Sequence, residues 1–326
     1  MKNILVVGGA GYIGRQIVKI LNKKKYNIYV IDNLSITKKN YLNKNIKFSK
    51  IDILNKKKLN KFFKNKKIDL IIHLAALCVV SEGEKLKKKY YRNNVIGTKN
   101  LIEVCMKFKI NNFIFSSSCT VFSNKLRKVN ENSTKNPINH YGKTKLACEN
   151  LIKEKFKNSN IKYIILRYFN VVGANVKEKI GEFSNKDRLF NNFAQKVLNN
   201  NNLTIYGKNY KTFDGTCIRD FIHVYDLAQI HVNCITKFRL LKKFTVLNCG
   251  YGKGYSILQV AKIFQKLKKN KVQIDFINRR AGDMEQITTS NHKLIKFIKW
   301  KPKYDNINKM VLSTYNWIKY ISKKTI

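Results

Sequence analysis

The residues of this chain best equipped to move a proton are a tyrosine and a lysine four positions apart, in the run Tyr141-Gly142-Lys143-Thr144-Lys145. On a helix that spacing puts both side chains on one face. A free phenol titrates at about 10 and is a poor base at neutral pH, whereas an ammonium beside it stabilises the phenolate. The pair then serves as a proton shuttle. A hydroxyl partner lies upstream in Phe115-Ser116-Ser117-Ser118-Cys119-Thr120, where Ser118 ends an apolar run and could hydrogen-bond a substrate oxygen while Tyr141 takes its proton. Tyrosine and lysine also meet by chance in so lysine-rich a chain, as around Tyr41, and serines often do no more than cap loops and helices. The catalytic reading therefore depends on what accompanies the pair.

What accompanies it is Gly8-Gly9-Ala10-Gly11-Tyr12-Ile13-Gly14, which follows the apolar run Ile4-Leu5-Val6-Val7 and opens a helical pattern. Gly8 permits a tight turn, Gly11 lets the backbone approach a pyrophosphate, and Gly14 lets the helix pack closely, its N-terminus facing the phosphate charge. Asp32 ends the next strand, about 20 residues on, where a carboxylate accepts hydrogen bonds from a ribose hydroxyl. The pattern predicts a bound dinucleotide, and NAD rather than NADP. Asp52 and Ile53, after the third strand, are expected near the adenine, with a helix cap as the competing role for Asp52.

Short apolar, β-branched runs at 4–7, 28–31, 46–50, 70–74, 113–115 and 163–166 predict strands buried on both faces. Segments 12–21, 57–63, 90–108 and 141–156 carry apolar residues at three- and four-residue spacing and predict helices. Such alternation predicts an α/β fold, a Rossmann-type doubly wound parallel sheet whose strand C-termini open onto the ligand crevice. Past about residue 170 the pattern loosens into a smaller mixed α/β C-terminal lobe. The expected division is 1–170 for the NAD-binding domain and 171–326 for the substrate lobe, the two interleaved.

At 326 residues and 44% apolar composition the chain can bury a sizeable core. Sixty-six basic residues against 19 acidic ones give a net charge of +47, which at face value suits a polyanion partner. Only nine of the 66 are arginine, however, and the lysines come with abundant Asn and Ile, whose codons are also rich in A and T. The lysine runs at 23–25, 56–58 and 87–89 are scattered and lack stacking aromatics at a repeated spacing. The charge is read as base composition loading tolerant surface positions, with no specific nucleic-acid partner. Seven cysteines without a C-x-x-C pair predict neither a disulfide framework nor zinc, and five scattered histidines give no metal site. No apolar run approaches the roughly 18 residues of a membrane span, and the N-terminal run ends without a cleavage signal, so a cytoplasmic protein is expected.

Together with Arg167-Tyr168-Phe169-Asn170, Gly173-Ala174, Arg219-Asp220-Phe221-Ile222-His223-Val224 and Arg279-Arg280-Ala281-Gly282-Asp283, these motifs resemble the extended short-chain dehydrogenase/reductases, and among them the UDP-glucose 4-epimerases. The resemblance runs from about residue 2 to about residue 317, with the motifs in family order and spacing. It implies an isomerase that interconverts UDP-galactose and UDP-glucose through a 4-keto intermediate, by reversible hydride transfer to tightly held NAD, with Tyr141 as acid and base. It implies that Ser118 and Thr120 hold the sugar hydroxyl and that Lys145 also binds the nicotinamide ribose. Tyr12, Ile13, Asp32, Asn33, Asp52, Ile53, Leu74, Ala75, Ala76, Asn93 and Phe169 would meet the cofactor beside Gly8, Gly11 and Gly14. Asn170, Arg219, Arg280 and Asp283 would meet the nucleotide sugar, the arginines suiting its diphosphate. A homodimer joined through the helices around 95–108 and 141–156 is implied as well.

Related dehydratases carry an Asp-Glu pair where this chain has Cys119 and Thr120, so dehydration lacks its proton donor. The alternative is another NAD-dependent nucleotide-sugar epimerase or dehydrogenase, acting for example on UDP-GlcNAc or UDP-GalNAc, because the same Ser, Tyr and Lys serve any hydride transfer from an alcohol. Some family members have a lysine near the cofactor pyrophosphate where this chain has Cys78. Val121-Phe122-Ser123 stands for a usual V-Y-G, Asp187-Arg188-Leu189 for an Asn-Asn-Leu near the uridine, and Ile287 for a bulky aromatic whose loss would admit N-acetylated sugars. His223 and His73 are expected to be structural, and Trp300 and Trp317 to be packing residues.

Overall fold

Alternate residues of each central strand go to opposite faces, and both faces are covered, which is why the strands read as unbroken apolar runs. Ile4 and Val6 pack with Val30, Ile72 and Ile164 on one side, while Leu5 and Val7 pack with Ile31, Ile71, Phe113 and Ile165 on the other. The computed structural model describes residues 2–183, 188–268, 272–280 and 283–323. Its seven-stranded sheet has the order Phe244–Cys249, Lys162–Tyr168, Asn112–Ser118, Leu70–His73, Asn3–Val7, Asn27–Asp32, Lys47–Lys50. All six pairings are parallel. Helices Tyr12–Lys23 and Val224–Lys237 cover the first face, and Lys56–Lys64, Gly97–Lys107 and His140–Phe156 the second.

From the central strand Asn3–Val7 the chain first builds outward to one edge and then returns to Leu70–His73 on the other side. The crevice at such a reversal is where doubly wound sheets bind their ligands. A Cβ at Gly8 would stand 2.7 Å from Ala75 N, so the loops leaving these two strands touch at the reversal.

The second half forms a mixed sheet of Gly254–Ser256, Ile218–His223, Gln286–Thr289 and Lys128–Val129, with Asn170–Val172 also paired to Ile218–His223. Leu203–Tyr206 and Ile274–Ile277 pair separately. Two strands join the sheet of the other half: Phe244–Cys249 returns to the edge of the large sheet, and Lys128–Val129 leaves the first half to pair with Gln286–Thr289. The spacing at 90–108 predicts a single helix. The structure runs Lys87–Tyr91 into Gly97–Lys107 through a π-helical turn at Arg92–Ile96, which one residue of extra winding creates and apolar periodicity cannot reveal.

Candidate active site

The proton-transfer pair is placed by a glycine. Helix His140–Phe156 begins at Asn139, whose side chain accepts the Gly142 amide at 2.8 Å and caps the first turn. A Cβ on Gly142 would lie 2.3 Å from Thr120 O, so only glycine lets this turn settle on the segment that follows strand Asn112–Ser118. Tyr141 is thereby brought near Ser118, whose hydroxyl favours the ionised phenol. The Thr120 hydroxyl donates to Ser118 Oγ at 3.0 Å, and the Thr120 amide approaches the same oxygen at 3.2 Å. Three hydroxyls thus meet at the C-terminal end of a central strand.

Lys145 is the only fully buried lysine among the described residues. Its Nζ donates to Ser116 O at 2.7 Å and lies 5.9 Å from the centre of the Tyr141 ring, so the helix spacing does bring the two side chains together. The electrostatics differ from the expectation of an ammonium pulling the phenol down. Burial pushes the Tyr141 pKa up, Cys78 adds to the rise, and it is the charge of Arg188 and the Ser118 hydroxyl that oppose it. Burial also lowers the Lys145 pKa. The ammonium is held at the carbonyl of Ser116 behind the ring, and a dry site penalises either charge alone.

The glycine turn divides its labour. Gly8 has φ of +79° and touches Ala75, and a Cβ at Gly14 would lie 2.4 Å from Gly8 O, so the protein's own packing demands both. At Gly11 a Cβ would meet nothing closer than Gly8 O at 3.4 Å. Nothing in the protein forbids a side chain there, but it would fill the open cradle in front of the first helix, and that cradle fits the pyrophosphate of a dinucleotide. Asp32 Oδ2 accepts the Ala10 amide at 3.1 Å and Oδ1 the Leu34 amide at 2.8 Å, which brace the turn against the next strand. Burial raises the Asp32 pKa, and these two amides oppose the rise. Asn33 Nδ2 donates to Asp52 Oδ2 at 2.9 Å, joining the two strand ends expected at the adenosine. The cap of helix Lys56–Lys64 is Asn55 rather than Asp52. The Ile53 side chain is turned into the core, where a Cβ on Gly97 would strike it, and its carbonyl accepts Asn100 Nδ2 at 2.9 Å. Leu74 and Ala75 donate their amides to Val7 O at 2.8 and 3.1 Å, and Ala76 follows them in the same loop. The Tyr12 hydroxyl donates to Gly173 O at 2.5 Å, tying the Ile13 turn to the second half.

On the substrate side Arg219 reaches Ile218 O at 3.0 Å and lies 3.5 Å from Asp283. The Arg280 guanidinium sits 3.7 Å from the centre of the Tyr206 ring. Phe169 is buried with Cys119, Val121, Phe122, Val129 and Ile287, and Asn170 begins the short strand just beyond it. Ile287 is therefore part of the packing beneath the Ser118–Val121 segment. Asp187, Ala281 and Gly282 lie outside the described residues. His223 accepts the Tyr225 amide at Nδ1, stacks on Tyr304 and is held at about 3 by burial, a neutral structural histidine; His73, likewise at about 3, bonds Thr98. Trp300 and Trp317 are buried. Among the described residues no group of His, Cys, Asp and Glu could hold a metal, and no helix is long and apolar enough to cross a membrane.

A family model described as NAD dependent epimerase/dehydratase matches residues 4–250. The chain belongs to that family. It is 33% identical over 319 residues to a UDP-glucose 4-epimerase of Lactobacillus helveticus, covering 97% of each chain. A solved UDP-glucose 4-epimerase structure matches at a TM-score of 0.92 and 33% identity over 98% of both chains. That of Bifidobacterium longum, in complex with NAD+ and UDP, matches at 0.88 and 31% over 98% of both.

Two supports of the site escaped the sequence reading. Asn94, in the π-helical turn beside Asn93, accepts the Leu77 amide at 2.9 Å and donates to Leu77 O at 3.0 Å and Thr144 Oγ1 at 3.1 Å. It fastens the loop after the fourth strand to the helix of Tyr141. Glu149, two turns beyond Tyr141, accepts Arg167 Nε at 2.9 Å and Nη2 at 2.8 Å together with Ser117 Oγ at 2.6 Å, all buried. An acidic residue on the buried face of a helix in a chain with few acids was the available signal.

Proposed function

We propose that this chain is a UDP-glucose 4-epimerase that interconverts UDP-galactose and UDP-glucose. The observation that carries the reading is the meeting of Ser118, Thr120 and Tyr141 at a strand end beside the glycine cradle, in a chain of an NAD-dependent epimerase family. NAD, when bound, supplies a reversible hydride acceptor for C4 of the sugar. Gly8, Gly11 and Gly14 would shape its pyrophosphate cradle, Asp32 would hold its ribose, and the 74–76 loop and Asn93 would border it.

Ser118 and Thr120 orient the sugar 4-hydroxyl toward Tyr141, whose phenolate takes the hydroxyl proton as the C4 hydrogen departs as hydride and the C4–O bond becomes a carbonyl. The 4-keto sugar then turns within the site, Tyr141 returns the proton to the oxygen, and the hydride re-enters on the opposite face. Net redox change is zero. Lys145, fixed at Ser116 O, supplies a cation behind the phenol as it loses its proton. Arg219, Arg280, Asp283 and Asn170 hold the nucleotide end, where planar guanidinium forks match a diphosphate.

The same reading makes the protein a cytoplasmic enzyme of galactose metabolism. It is a homodimer, with the half-exposed Tyr91, Ile96 and Met106 of the long helix offering apolar surface at the joint. The test is conversion of UDP-galactose to UDP-glucose by the purified protein without added cofactor, with sedimentation to weigh the particle. Tyr141→Phe should abolish conversion. No conversion by the wild type, with net reduction of added NAD instead, would replace the epimerase reading with a dehydrogenase.

A further inference from the structure

Two positions where this chain departs from its family's motifs, 78 and 188, are in contact. Arg188 Nη2 donates to Cys78 Sγ at 3.2 Å. A thiol is a weak acceptor and a poor match for a guanidinium, whose donors favour oxyanions. The same group's Nε makes no hydrogen bond and lies 3.6 Å from Glu182 Oε2, a loose ion pair. Burial raises the phenols of both Tyr12 and Tyr141, and the charge of Arg188 pulls each back down, which locates the guanidinium within electrostatic reach of both. Tyr12 directly follows Gly11, and Cys78 closes the loop that begins at Leu74. A cation with a strong donor fork thus stands on the loop after strand Leu70–His73, the loop whose Ala75 packs against Gly8, and within electrostatic reach of the Tyr141 phenol.

We propose that Arg188 is a ligand of the NAD pyrophosphate, supplied from the second half of the chain in place of a cation that position 78 lacks. The proposal rests on the reading of the Gly8 to Gly14 turn as the pyrophosphate cradle. The residue type suits that role, because in a chain with nine arginines among 66 basic residues a planar fork at 188 gives bidentate phosphate contact that a lysine does not. The other diphosphate in the reaction belongs to the sugar nucleotide, and the ion pair of Arg219 with Asp283 and the stack of Arg280 on Tyr206 mark that end.

The experiment measures retention of NAD by purified protein during dialysis, read as nicotinamide released on denaturation, and UDP affinity of the NAD-saturated protein. Arg188→Asn is the principal variant. Position 188 is the N-cap of helix Leu189–Leu198 and its own side chain makes no cap, so asparagine, a favoured cap residue, keeps the fold. Loss of a charge-assisted phosphate contact should speed NAD release by about tenfold to a hundredfold, whatever an asparagine at this position, the residue of the related Asn-Asn-Leu motif, does to UDP affinity. Adding Cys78→Lys to Arg188→Asn places a cation at the same contact and should slow release again. Unchanged NAD retention in Arg188→Asn overturns the proposal, whether UDP binding weakens, making Arg188 a substrate ligand, or stays, making it a structural ion. Failure of the lysine to restore retention overturns the replacement. Gly11→Val tests the cradle separately: NAD retained in that variant sinks the reading of the turn, whereas NAD retained in Arg188→Asn alone sinks only this assignment.

Discussion

The helix that carries Tyr141 can start where it does only because residue 142 has no side chain. In Gly142→Ala the new Cβ would lie 2.3 Å from Thr120 O and 2.9 Å from Pro137 Cβ, caught between two atoms on different segments. To open the first contact to even 3.0 Å the helix start must retreat by about 0.7 Å, and Pro137 obstructs part of that path. Alanine is intrinsically the better helix former by about 1 kcal/mol, while overpacking costs about 1–3 kcal/mol, so the protein loses at most about 2 kcal/mol and still folds. Catalysis is more sensitive. Tyr141 moves relative to Ser118, and a displacement approaching 1 Å can cost about a hundredfold. We expect kcat for UDP-galactose to fall about tenfold to a hundredfold, with KM changed less than about threefold because the nucleotide contacts lie elsewhere. Progress curves of UDP-glucose formation give both constants, a urea titration gives the stability, and released nicotinamide gives the NAD content. A kcat within twofold of wild type in a normally loaded protein would refute the argument that this glycine sets the position of the phenol.

Two further outcomes follow from buried groups. Glu149→Gln strands the Arg167 guanidinium without a counter-charge at a site where both side chains are almost wholly inaccessible, so the loss should be about 3 kcal/mol or more, read as a lower urea midpoint at constant slope. A loss under about 1 kcal/mol would mean the pair is not holding helix and strand together. His231 bonds Tyr168 and Leu227 O, and burial lowers its pKa to about 4 against about 6.5 in an unfolded chain. The unfolded chain therefore takes up a proton that the fold refuses. The stability this group contributes is complete above pH 6.5 and drains as pH falls toward 4, at up to about 1.4 kcal/mol per pH unit. The gap in urea midpoint between wild type and His231→Gln should narrow over that window, and parallel curves would contradict it.

The layered sheet was readable because both of its faces are covered, so each strand announces itself as an apolar run and Gly8, Gly14 and Asp32 mark where the first two end. The interleaving of the halves could be anticipated in kind but not in detail. Phe244–Cys249 carries the same apolar signature as the early strands, and only its pairing with Lys162–Tyr168 reveals which sheet it joins. Lys128–Val129 is two residues long and leaves no periodicity at all. The Tyr141 and Lys145 spacing fixed which face they share, but not that Lys145 would be held by a backbone carbonyl, because no side-chain pattern encodes a carbonyl's direction. Asn94 was hidden for the same reason: its role depends on a widened turn.

The distribution of cations gives a physical criterion for reading so biased a composition. If base composition alone placed the lysines, they should occupy positions where an exposed ammonium costs nothing, and the one fully buried lysine among the described residues stands beside Tyr141. Two arginines behave differently. Arg15 and Arg167 are fully buried, Arg15 donating to Gly181 O and Arg167 clamping Glu149 while also reaching Glu131 O, geometries in which a fork of fixed donors does what a single ammonium cannot. Under a pressure that writes lysine wherever lysine is tolerated, a buried arginine or a buried lysine marks a position where geometry or desolvation overrides that pressure. By this criterion Arg15, Arg167 and Lys145 are the informative cations, whereas the surface lysines that make up most of the +47 charge are not.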